Sequence, residues 1–165
     1  MPEVVVVLWL AACGGTEPPP APAPAPAPAP VAAPDRHASH SEHMKVMAAT
    51  RERLKQELGS AYDGPVPGLD TADLAAGATL FTTHCASCHG AGGKGDGPAG
   101  EGLEPPPSDF TDAFHARYYS DAGRLHLVRN GSPGTAMVGF AGVLDDAQLL
   151  AVYRHVASLR APVGK

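Results

Sequence analysis

Apolar side chains recur at intervals of three and four residues in four separated stretches, and each reads as a helix. Met44, Met47, Arg51, Leu54 and Leu58 form one stripe, with the Arg51 stem its weakest member; the spacing predicts a helix over 41–58, ended by Gly59. Leu74, Gly77, Ala78 and Phe81 share a face of a second helix, for which Asp70 or Thr71 is the expected cap. A shorter helix is expected over 121–129, with Ser120 before it and Gly131 beyond its end. In the last, Leu149, Val152, Tyr153 and Val156 make the stripe. Asp145 with Gln148 three residues on is a capping-box pattern, and Pro162 follows the end. No segment alternates with period two. The expectation is an all-helical domain over about 69–161, joined by long Gly/Pro loops.

The pattern stops upstream. Nine of the 18 prolines lie between Pro18 and Pro34, alternating with alanine. Proline fixes φ and lacks an N–H, so the tract should be an extended, disordered spacer with a reach of about 55 Å. Before it, Val4 to Leu10 is an apolar run too short to span a bilayer, closed by Leu10-Ala11-Ala12-Cys13. That tetrapeptide looks like a bacterial lipobox, in which the cysteine is lipidated. Met1-Pro2-Glu3 lacks the basic residue that normally precedes such a run. The expected organisation is a signal peptide over 1–12, a lipidated Cys13 and linker over 13–40, an accessory helix and loop over 41–68, and the compact domain over 69–161. The chain would then sit on the periplasmic side of a bacterial membrane.

A net charge of -5 gives no support to nucleic-acid binding. The apolar residues after Leu69 would make only a thin core for a domain of that size, and a large apolar cofactor would supply part of what is missing.

That cofactor has a signature. Cys85-Ala86-Ser87-Cys88-His89 is the Cys-x-x-Cys-His attachment site of a c-type haem, with two thiols for the vinyl groups and an imidazole for the iron. A thioredoxin-like Cys-x-x-Cys would follow a strand and open a helix; here a helix precedes it and a glycine-rich segment follows. A structural zinc site would need a second ligand pair. His89 Nδ1–H needs an acceptor, for which the 103–107 loop offers carbonyls. For the sixth iron ligand, Met137 is the one methionine after the motif, in the small-residue loop 130–137. His115, His126 and His155 are its rivals, and His84 reads as a solvated or haem-edge residue. His37, His40 and His43 could bind copper or zinc, but read better as a polar lead-in to the first helix.

With these residues in place the chain resembles the class I cytochromes c over about 69–161. The resemblance rests on the haem motif, Gly95-Asp96-Gly97-Pro98-Ala99, and Pro105-Pro106-Pro107-Ser108-Asp109-Phe110. It implies three to four helices around one covalent haem, with Gly77 and Phe81 meeting Tyr153 of the last helix. It also implies Met137 as distal ligand, and single-electron transfer between redox proteins rather than catalysis. The competing readings are a subunit of a larger respiratory complex, a haem-based ligand binder or peroxidase, and copper handling through the His37 cluster.

Overall fold

The computed structural model describes residues 36–160, with side chains from Ser41 onward. Cys13, the expected signal segment, the Pro/Ala tract and the side chains of His37 and His40 lie outside the described residues. Six α-helices follow in order: α1 Arg36–Leu58, α2 Leu74–His84, α3 Ala86–His89, α4 Ala113–Arg117, α5 Asp121–Asn130 and α6 Asp146–Ser158. Short 3-10 turns occur at Gly59–Ala61, Leu69–Thr71 and Pro98–Gly100. Among the described residues there is no strand, only an isolated bridge between Gly131 and Val138. No described helix is long and apolar enough to cross a membrane.

The caps show why the helices start where they do. α2 begins later than Asp70 and Thr71 suggested, because those residues lie in a 3-10 turn. Asp73 is the cap, and its carboxylate accepts from Ala76 N at 2.9 Å. Ser120 caps α5 through Gly123 N. At α6 the capping box forms in both directions: Gln148 N donates to Asp145 Oδ1 at 2.8 Å, and Asp145 N donates to Gln148 Oε1 at 2.9 Å. α4, whose five residues are too few for a periodic stripe, is set by Asp112 accepting from Phe114 N and His115 N.

α2 crosses α6 so closely that only glycine fits. A Cβ on Gly77 would stand 2.0 Å from the carbonyl oxygen of Ala151. Beside this crossing Phe81, Phe110, Tyr153 and Val156 form one buried cluster, and Leu144, Leu149 and Val152 form a second.

A third cluster belongs to α1. Met47 and Leu54 are buried with Tyr62, Tyr119 and Leu127, and Leu54 is 0% exposed. The Arg51 guanidinium lies over the Tyr118 ring at 5.3 Å, so its stem does belong to the stripe. Polar contacts tie the same face down: Tyr119 Oη donates to the carbonyl of Met47, and His126 Nε2 lies 3.0 Å from Glu57 Oε2. The helix expected as an accessory is packed into the α5 side of the fold.

Leu54→Ala should therefore cost about 2–5 kcal/mol, as for other large-to-small changes in a closed core. Denaturant unfolding of the haem-loaded protein measures it, and a cost under about 0.5 kcal/mol, usual for a surface site, would show that α1 is not integral to the fold.

Candidate functional site

α2 delivers the cysteine motif. Its last turn closes with Cys85 N on the carbonyl of Phe81 at 2.8 Å, and α3 carries Cys88 and His89 as one further turn. The segment after α3 folds back on it: Gly95 N donates to His89 O at 2.8 Å and Gly97 N to Cys88 O at 3.1 Å. The glycine-rich stretch thus braces the motif through backbone bonds.

Opposite, the segment between α5 and α6 is held in a fixed loop. Gly131 has φ +83°, and a Cβ there would meet Met137 O and Gly139 N at 2.8 Å, so the turn requires glycine. Ser132 N donates to Met137 O at 3.0 Å and Met137 N to Thr135 Oγ1 at 3.1 Å. Phe140 N and Ala141 N return to the carbonyls of Val128 and Arg129.

Between the two lies a cleft with about 1010 Å³ of non-atom space, part of it open to solvent. Cys85, Cys88, His89 and Met137 all line it. Leu103, the run Pro105-Pro106-Pro107, Leu127 and Phe140 give apolar walls. One wall comes from outside the expected compact domain: α1 contributes His43, Val46, Met47 and Thr50. The stripe of α1 showed a buried face, but nothing in its spacing said what that face would meet.

The chemistry of these groups fits a covalent haem. His89 Nδ1 lies 3.2 Å from Ser108 O, one residue past the proline run where the acceptor was sought. A carbonyl can only accept, so Nδ1 carries the proton and Nε2 keeps its lone pair for a metal. Burial holds the imidazole pKa below its usual value, and the charge of Arg124 adds to the effect, so the ring is neutral as a ligand must be. The Phe110 ring stacks on His89 at 4.6 Å and fixes its plane. Burial, with the neighbouring Cys88, pushes the Cys85 thiol up to about 11. Such a thiol is protonated at neutral pH, opposite to the depressed pKa of a thioredoxin-type cysteine. The two cysteines are not joined in a disulfide.

The rival histidines stand away from the cleft. His115 Nδ1 lies 2.9 Å from Asp112 Oδ1, His126 pairs with Glu57, and the His155 ring tilts against Phe81 at 5.0 Å. His84 does line the cleft, edge-on to Phe140. His43, read as part of a polar lead-in, is half-buried, lines the cleft and meets the His115 ring at 5.5 Å. Among the described residues no three His, Cys, Asp or Glu side chains are grouped to hold a metal ion.

The sequence model of the cytochrome c family matches residues 74–160. A protein of Pseudomonas aeruginosa named dihydro-heme d1 dehydrogenase is 36% identical over 107 residues. The match covers 64% of this chain and 20% of that relative, so the aligned part spans about a fifth of the relative's length. No solved structure matches the chain.

The haem should stay on the polypeptide through denaturing electrophoresis and resist acid-acetone. Cys85→Ala with Cys88→Ala should release it, and free haem extracted from the unaltered protein would contradict the covalent link.

Proposed function

The chain belongs to the cytochrome c family, and on that premise we propose that it is a single-electron carrier with His89 and Met137 as the axial ligands of its iron. The family supports haem-based electron transfer, and the haem is held covalently through Cys85 and Cys88. When bound, that group takes up and releases one electron at its iron. The observation that carries the ligation reading is the pairing across one cleft of an imidazole with its lone pair kept free and a thioether in a backbone-pinned loop.

A thioether is a soft ligand that favours ferrous iron and raises the potential relative to a second histidine. His89 and Met137 together would hold the iron on both sides, so that little would have to move during transfer. The proline run, Leu127, Phe140 and the α1 wall line the cleft and would shield a bound haem from water on their side. Val138, 68% exposed beside Met137, leaves an apolar lip at which a redox partner can dock weakly and leave quickly.

The second reading is that the chain serves as the electron-transfer module of a larger oxidoreductase. It is favoured by the similarity to part of a dehydrogenase. There the chain receives or delivers the electrons while another polypeptide performs the substrate chemistry. A partner that co-purifies in mild detergent and reduces or oxidises the haem would distinguish it from a free shuttle.

We further propose that Cys13 is lipidated and that the 17–34 spacer holds the domain off the outer face of a bacterial membrane. The lipobox-like Leu10-Ala11-Ala12-Cys13 ahead of the proline tract supports this.

Met137→Ala should lose the weak long-wavelength sulfur-to-ferric-iron band, bind carbon monoxide when reduced, and show a lower midpoint potential. A spectrum left unchanged would transfer the sixth position to another cleft residue, His43 or His84. Cys13→Ser should convert a membrane-bound, lipid-labelled protein into a soluble one; a native exported protein that is already soluble would rule the anchor out.

A further inference from the structure

Arg124 is a charged side chain where the fold has little reason to put one. It is 6% exposed, on the inner face of α5. Its guanidinium lies 5.8 Å from the Phe110 ring and 5.4 Å from the Tyr119 ring. Phe110 stacks directly on His89, so one ring separates the cation from the haem-ligand candidate. One terminal nitrogen donates to the carbonyl of His115, a neutral acceptor, and Nε is buried with no acceptor among the described residues. The nearby carboxylate attracts it but cannot neutralise both cations around it. Asp121 Oδ1 already takes Arg160 at 2.6 Å and the Tyr153 hydroxyl at 2.7 Å. Two guanidiniums therefore share one carboxylate, and the group keeps a net charge of about +1 in a poorly solvated place.

A buried unit charge without its own counter-ion is costly, and it acts on whatever charge changes nearby. Reduction adds one electron from the redox partner to ferric iron and lowers the positive charge there by one. A fixed cation repels the ferric state more than the ferrous state. We propose that Arg124 is an electrostatic positioning residue that biases the haem iron toward its reduced form. The inference rests on the reading that His89 ligates the iron. Burial and the second guanidinium both hold the Arg124 pKa below its usual value, yet an arginine so shifted stays charged at neutral pH.

The test is the midpoint potential of the full-length, haem-loaded protein. In Arg124→Gln the equilibrium for reduction should fall by about tenfold, the order expected of a unit charge acting at an effective dielectric of about 20. For one electron this is a downward shift of about 59 mV. Arg124→Lys, which keeps the charge, should remain within about threefold of the unaltered protein. A potential unmoved in Arg124→Gln, or a fall as large in Arg124→Lys as in Arg124→Gln, would show that the charge is not what acts. Should Arg124→Gln fail to retain haem, Arg124→Met serves as the neutral variant: a fall of about tenfold relative to Arg124→Lys supports the role, and a potential equal to that of Arg124→Lys refutes it. The two readings fail differently. An unaltered protein whose iron carries no histidine ligand removes the ligation reading and this inference with it. An intact spectrum with an unmoved potential removes only the inference.

Discussion

The contact on which the rest depends is the crossing of α2 and α6 at Gly77. Backbone meets backbone there, because the space for a Cβ is already taken by the carbonyl of Ala151. Phe81 and Tyr153 close over the same crossing as its largest buried side chains. The haem motif is the continuation of α2, and the Met137 loop runs into α6 through Phe140 and Leu144. Locking the two helices together thus also fixes the distance across the cleft. The motif is further held by the backbone bonds that brace α3, by the Ser108 carbonyl and Phe110 ring on His89, and by the packing of Cys85 against the buried clusters.

α1 changes the meaning of the cleft. Residues 74–160 carry the family's pattern, yet Met47 and Thr50 are buried and, with His43 and Val46, form part of the same wall. A thin core with a large apolar cofactor has two ways to limit solvent at that cofactor: longer loops or another helix. This chain uses the helix. It is attached by Leu54 in an apolar cluster, by Arg51 on Tyr118 and by Glu57 beside His126. A haem shielded from water on that side would feel nearby charges more strongly, since field lines are less screened.

That links the packing to the electrostatics. Phe110 both fixes the plane of His89 and separates it from the Arg124 guanidinium. On its far side Asp121, Tyr153 and Arg160 form a hydrogen-bonded group that also holds the end of α6 to the start of α5. Burial alone would raise the Asp121 pKa; hydrogen bonds from Tyr153 and Arg160 and the nearby cations outweigh it and hold the carboxylate below its usual value. The same residues therefore join two helices and leave a positive charge near the haem site.

By itself the sequence determined what is local. The Cys-x-x-Cys-His spacing, the Asp145–Gln148 box, the Ser120 cap and the stripe of α6 are legible because each depends on residues within a turn or two of one another. So is the all-helical class, and so is the cysteine pair for a covalent haem; His89 and Met137 could be named as candidate ligands by their chemistry, but only the fold brings them to one cleft. The start of α2 was misjudged by a few residues because three acidic or hydroxyl residues compete as caps, and only the turn geometry chose Asp73. Whatever depends on two distant segments was decided by the tertiary structure alone. Ser108 rather than a residue of the proline run accepts from His89 because the 95–110 loop is pinned to α3 by its own backbone bonds. His43 enters the cleft and His126 and His155 do not, because packing turns His126 to Glu57 of α1 and His155 to Phe81 of α2. Nothing in the sequence singles out Arg124; that it is buried one ring from His89 follows only from where α5 lies in the packed fold.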